Sequence, residues 1–95
     1  MEIHNDSIFA PAPLCVSRFN PDTKSIQLVC IGKGSQMYTI DGVSAFIWRQ
    51  LDGKTPVEKI LERILKEFEV TQARAKRDLK TMLDRFLAME IIYER

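Results

Sequence analysis

Few side chains in this sequence are equipped for chemistry. His4 is the single histidine among 95 residues, and it lies in a stretch broken by Pro11 and Pro13, whose missing N–H groups discourage regular structure. A general base must be held within hydrogen-bond reach of the proton it takes. A solvated His4 does not meet that demand, and without it no Ser-His-Asp set can be assembled. Cys15 and Cys30 match no metal-binding spacing, and one histidine beside them does not complete a zinc site. As a redox pair they would need to be neighbours in space. As two small buried side chains in a reducing cytoplasm they would stay free thiols, and that is the expectation taken here. Gly32-Lys33-Gly34-Ser35 matches the tail of a phosphate-binding loop, but the earlier Gly is missing and no long helix follows, so it is read as a hairpin turn. Glu58, Lys59, Glu62, Arg63 and Lys66 are charge neighbours on a solvated helix face. The expectation is therefore no enzyme, no metal and no cofactor.

Composition points the same way. A chain of 95 residues makes one domain, and at this size the core is a single layer of side chains that can carry a groove on its edge but encloses no large cavity. Lys plus Arg number 14 against 13 for Asp plus Glu, without the basic excess typical of nucleic-acid binders. No apolar run approaches the ~20 residues that span a membrane. The start, Met1 to Asp6, lacks the basic and apolar regions of a secretion signal, which makes the cytoplasm the expected location.

The elements that would position a site follow from periodicity. Residues 1–13 read as an irregular lead-in and 14–95 as the domain. Leu14–Phe19, Ser25–Ile31 and Gln36–Ile40 have the composition and alternation of strands, separated by Asn20-Pro21-Asp22-Thr23 and by Gly32–Ser35. Centring the first turn between Asp22 and Thr23 pairs Phe19 with Ile26, Ser17 with Leu28 and Cys15 with Cys30. Centring the second on Gly34 pairs Cys30 with Tyr38 and Leu28 with Ile40. Period-two alternation then gathers Phe19, Ile26, Leu28, Cys30, Tyr38 and Ile40 on one face, with Arg18, Gln27, Met37 and Thr39 on the other.

After Ile40 the period becomes helical. Asp41 is placed to cap a short helix through Val43, Phe46, Ile47 and Leu51, with Trp48 beside them as a core aromatic. Gly53 ends it in a left-handed turn. Thr55-Pro56-Val57-Glu58 reads as a capping box with Pro at the first helical position, and Val57, Ile60, Leu61, Ile64, Leu65 and Phe68 form an apolar stripe. Thr71 caps a third helix with Ala75, Leu79, Met82, Leu83 and Phe86 inside. Ile91-Ile92-Tyr93 either adds a strand or seals the core. The fold class is α+β: a three-stranded antiparallel meander followed by three helices.

The segment from Tyr38 to Ile60 resembles the PqqD family, named for coenzyme PQQ synthesis protein D. Ile40-Asp41, Ala45, Ile47-Trp48, Leu51-Asp52-Gly53, Thr55, Val57-Glu58 and Ile60 carry the likeness, and Asp78, Leu79, Leu83 and Leu87 fit the family's later trend. The resemblance runs over about residues 14 to 93. It departs at Asp41, where the family commonly has Asn, and at Glu90, where it commonly has Gly. It implies a winged-helix-like fold, a leader peptide of a ribosomally made precursor as ligand, a maturase partner, often a radical S-adenosylmethionine enzyme, and no cofactor in the domain itself.

A meander leaves its third strand as an edge that can accept a foreign strand, which makes Met37, Tyr38, Thr39 and Ile40 the candidate contacts. The family resemblance adds the third helix as the flanking wall. Arg74, Asp78, Met82 and Arg85 line one margin of its apolar face, and Lys76, Lys80, Leu83 and Leu87 lie nearer the other. Periodicity does not choose between the margins, and the first is taken as the candidate. Two other readings stand beside this one. The first is a winged-helix DNA-binding regulator, against which Arg74, Lys76, Arg77, Lys80 and Arg85 are scattered around the helix among Asp78 and Asp84. The second is a protein-only scaffold or homodimerisation domain.

Overall fold

The structure is a computed structural model and describes residues 4–31 and 36–95. Its element order is β1 (Phe9–Pro11), β2 (Cys15–Asn20), β3 (Ser25–Cys30), β4 (Gln36–Ile40), α1 (Gly42–Gln50), α2 (Val57–Glu67), α3 (Gln72–Ala88) and β5 (Ile92–Glu94). The expected meander is present as an antiparallel sheet in the order β2-β3-β4, followed by the three helices. The turn expected at Gly32–Ser35 lies outside the described residues.

The first hairpin has the expected register, with Cys15 opposite Cys30, Ser17 opposite Leu28 and Phe19 opposite Ile26. The second is corrected by two residues: Leu28 faces Tyr38, Ile26 faces Ile40 and Cys30 faces Gln36. A shift of two preserves the side-chain alternation, so every residue keeps its expected face. The shift sets Ile40 beside the buried Ile26 and completes an apolar row with Phe19. Ile26 and Leu28 of the central strand are the sheet's fully buried contribution to the core, packed with Ile47 and Trp48 of α1, Ile60 and Ile64 of α2, and Leu79, Leu83 and Phe86 of α3. Trp48 meets Phe86 edge to face at 5.8 Å between ring centroids, so it is a core residue, as expected.

The expectation of two free thiols is overturned: Cys15 and Cys30 are joined in a disulfide. The register accounts for their approach. Ile31 N–H donates to Leu14 C=O, which makes Leu14/Ile31 a hydrogen-bonded pair and the next pair, Cys15/Cys30, a non-hydrogen-bonded one. In such pairs the side chains of opposite residues lie closest.

The lead-in is likewise more ordered than its prolines suggested. β1 pairs antiparallel with β5 in a second, two-stranded sheet, and Phe9 is buried in the core. This segment also supplies the cap of α2. Ser7 and Asn5 carbonyls accept from the Val57 and Glu58 N–H groups, Pro56 occupies the N-cap position, and no side-chain cap bond forms there. The expected capping box is therefore replaced by main-chain acceptors from a distant stretch of sequence. Thr55 instead donates its hydroxyl to Asp52 Oδ2 at 3.0 Å. Asp41 occupies the N-cap position of α1 but makes no side-chain cap bond, whereas Thr71 caps α3 by accepting from Arg74 N–H.

Of the residues with left-handed φ, Gly53 and Glu90 set the turns that follow α1 and α3. Gly53, at φ 76°, donates its N–H to Phe9 C=O, and a Cβ there would lie 3.1 Å from Arg95 Nη1 and 3.3 Å from Ala10 Cβ. Glu90, at φ 59°, closes α3: its N–H donates to Leu87 C=O and the Ile91 N–H to Phe86 C=O. That is the bonding of a Schellman motif, whose left-handed position favours glycine because a side chain crowds the backbone.

Two outcomes follow. Glu90→Gly removes the side-chain clash and should stabilise the protein by about 0.5–1 kcal/mol, read from urea unfolding midpoints. Asp52 accepts from the Lys54 and Thr55 N–H groups at 2.9 and 2.8 Å, and these bonds, Lys54's first, hold its carboxyl below the ordinary 3.8. A lowered folded-state pKa means stabilisation that is fully present above 3.8 and lost as pH falls through the folded value. Asp52→Ala should cost about 1 kcal/mol at neutral pH. The difference from the parent protein should shrink in acid well below 3.8, measured by the same unfolding titrations.

Candidate peptide-binding edge

The alternation that places the disulfide also determines what β4 offers. Because Leu14/Ile31 is a hydrogen-bonded pair, the N–H and C=O groups of Ser25, Gln27, Val29 and Ile31 point toward β2, and those of Ile26, Leu28 and Cys30 point toward β4. On β4 their partners Ile40, Tyr38 and Gln36 turn their main-chain groups inward. Met37 and Thr39 therefore direct theirs to the outer edge. Among the described residues no strand pairs with that edge.

The eight sequence-derived candidates divide by face. Tyr38 and Ile40 are half-buried on the inner face, and with Met82 of α3 they pack against the common core. Met37 and Thr39 are exposed on the outer face. The Ser44 hydroxyl, two residues into α1 and four beyond the end of β4, donates to Met82 Sδ at 3.3 Å. This contact, which sequence reasoning missed, ties the middle of α3 to the segment leaving β4. On the same margin Arg74 Nε lies 3.7 Å from Asp78 Oδ2, a solvated i,i+4 pair, and Arg85 is exposed one turn beyond Met82.

Lys76, Lys80 and Leu83 line a small cavity of about 60 Å³ with Val57 and Leu61 of α2 and Asn5 of the lead-in. Sequence reasoning also left the outer face incomplete. Val16 and Val29 alternate with Arg18 and Gln27 and so share a face with Met37, flanked by Leu14 and Ile31. The signal was in the sequence: both alternating sets of β2 and β3 contain apolar residues, so the sheet is not apolar on one side only. Among the described residues, no group of three or more His, Cys, Asp or Glu could hold a metal ion, and no helix is long and apolar enough to cross a membrane.

An antiparallel sheet with an open third-strand edge, followed by three helices that cover one face, defines a small α+β domain built around an accessible strand. The family model for coenzyme PQQ synthesis protein D (PqqD) matches residues 18–92, and the chain belongs to that family. A solved structure, TbiB1 in complex with the TbiA(beta) leader peptide, is similar, with a TM-score of 0.78 over 87% of this chain and 93% of that one. At 24% identity this likeness is one of fold. No curated protein matches the chain.

Proposed function

We propose that this protein is a non-catalytic leader-peptide carrier. In this reading, an extended segment of a ribosomally made precursor adds to β4 as a fourth strand, and the domain presents it to a modifying enzyme. The observation that carries the proposal is the outer edge of β4, where Met37 and Thr39 turn two N–H and two C=O groups away from the sheet. Membership of the PqqD family supports a peptide ligand, as does the similarity to a protein solved with a leader peptide.

Strand addition assigns each contact a role. Leader residues bonded to Met37 and Thr39 share their outer face, since bonded partners lie on the same side of a sheet. The residues between them turn inward, beside Tyr38 and Ile40, toward the margin of α3 that carries Arg74, Asp78, Met82 and Arg85. Met82 supplies apolar contact there. Arg74 and Arg85 suit acidic residues flanking the inserted side chains, and Asp78 lies within ion-pair distance of Arg74. Main-chain bonds supply affinity whatever the sequence, and the inward side chains supply selectivity. The enzyme in this reading is a maturase, with a radical S-adenosylmethionine enzyme as the family-based expectation, and the place of action is the cytoplasm, where precursors leave the ribosome.

Thr39→Pro tests the proposal. Proline removes the outward N–H of Thr39 and spares the inward bonds of Tyr38 and Ile40 to β3, so the fold should persist. The variant should bind a labelled leader peptide, taken from a short precursor encoded beside the gene, about tenfold more weakly by fluorescence anisotropy, with an unchanged circular dichroism spectrum. Unaltered affinity in the folded variant would rule out strand addition at β4.

A further inference from the structure

The Cys15–Cys30 disulfide takes no part in the main-chain contacts assigned to the leader, yet it lies beside them. Cys30 ends β3, opposite Cys15 on β2 and opposite Gln36, the first residue of β4. Its main-chain groups point toward β4 while its side chain is bonded to β2, so this one residue ties all three strands in a single row. Met37, one of the two residues whose main chain faces outward, follows Gln36 directly.

The two ends of β4 are held differently. At one end Ile40 pairs with the buried Ile26, and α1 begins two residues later. At the other end the row beyond the cysteines adds little, since Leu14 is 62% exposed and Ile31 57%. Opening the disulfide leaves the six residue pairs of the β2-β3 ladder, with Ile26 and Leu28 still buried, so the fold keeps its core in either state. Both cysteines are half-buried against that core rather than sealed within it, which leaves the pair within reach of a small thiol.

We propose that Cys15 and Cys30 form a redox switch that sets how firmly the outer edge of β4 is held. Its output, which rests on the carrier reading, is leader affinity. The co-reactant is a small thiol with its own disulfide, of the glutathione type. A glutathione thiolate attacks one sulfur of the bond, forms a mixed disulfide, and expels the other cysteine as a thiolate that takes up a proton. A second glutathione thiolate attacks the glutathione sulfur of that mixed disulfide, which frees the remaining cysteine and yields oxidised glutathione. Two electrons pass to the protein, and the reverse sequence closes the bond. In the dithiol the Gln36 end of β4 opens more often, because local opening follows the ties that hold a segment. A leader must then order Met37 as it binds, which costs affinity. The dithiol is the standing form in a reducing compartment, and oxidation strengthens capture.

The test equilibrates the protein with glutathione and its disulfide over a series of ratios. Alkylation and mass spectrometry then read the dithiol fraction, which should pass from none to complete across the series. In the dithiol, amide hydrogen exchange at Gln36 and Tyr38, whose N–H groups point inward, should be about tenfold faster, with Ile40 unchanged. Labelled leader peptide should bind the dithiol roughly three- to tenfold more weakly by fluorescence anisotropy. The Cys15→Ser/Cys30→Ser protein should match the dithiol at every ratio, with an unchanged circular dichroism spectrum. A bond that stays closed at every ratio would overturn the switch, and so would equal exchange and equal affinity in the two states; either result leaves the carrier reading standing. Redox-dependent exchange without leader binding in either state would instead remove the carrier reading and retain the switch on the edge.

Discussion

Successive residues of a β-strand point to opposite faces, and their main-chain groups alternate between opposite edges; in this molecule one such alternation, running through β3, has consequences on all sides. It sends Ile26 and Leu28 into the core and Val29 out to the exposed face. It makes Cys15/Cys30 a non-hydrogen-bonded pair close enough for a disulfide. It also turns the main-chain groups of Met37 and Thr39 away from the sheet. A slip of one residue would exchange all of these at once, burying Gln27 and exposing Leu28, so the burial of two aliphatic side chains enforces the chemistry of the edge.

The helices are placed by a second constraint, exerted by the two ends of the chain. β1 and β5 pair with each other and close on the turn between α1 and α2. Phe9 C=O accepts from Gly53 N–H, and Arg95 Nη1 donates to Gly53 C=O at 3.2 Å. Ser7 and Asn5 then cap α2 through their carbonyls. A helix N-terminus leaves several N–H groups without intrahelical partners. Here the chain satisfies two of them with main chain, which fixes the start of α2 against the N-terminal segment and so sets the floor on which α3 packs. The Schellman turn at Glu90 directs the chain from α3 into β5 and completes the closure.

The result separates three surfaces of one small domain. The inner face of the sheet is used for the core, the outer edge of β4 pairs with no strand among the described residues, and the outer face carries an aliphatic patch bordered by Arg18 and Thr39. Met37 belongs to both of the last two: its backbone is on the edge and its side chain on the face. An edge and a face of the same sheet are roughly perpendicular, so occupation of one need not obstruct the other.

Much of this was legible from residue type and period alone. The three strands, the three helices, the first hairpin register, the left-handed Gly53, the Thr71 cap and the apolar stripes of α2 and α3 depend on local preferences, and local preferences are written within a few residues. The family motif from Ile40 to Ile60 belongs to that kind of information, as does the open-edge argument, which needs only a meander. Tertiary structure decided the remainder, because each part depends on groups far apart in sequence. Main-chain carbonyls from Asn5 and Ser7 took the place of a Thr55 cap, since bonds from a packed segment satisfy the same N–H groups. The second hairpin slid by two residues to pack Ile40 beside Ile26. The cysteines closed a bond that a reducing environment alone would argue against. Met82 of α3 meets Ser44 of α1 through a hydroxyl–sulfur contact between residues 38 positions apart. Periodicity assigns a residue to a face of its own element, and only packing decides what that face meets.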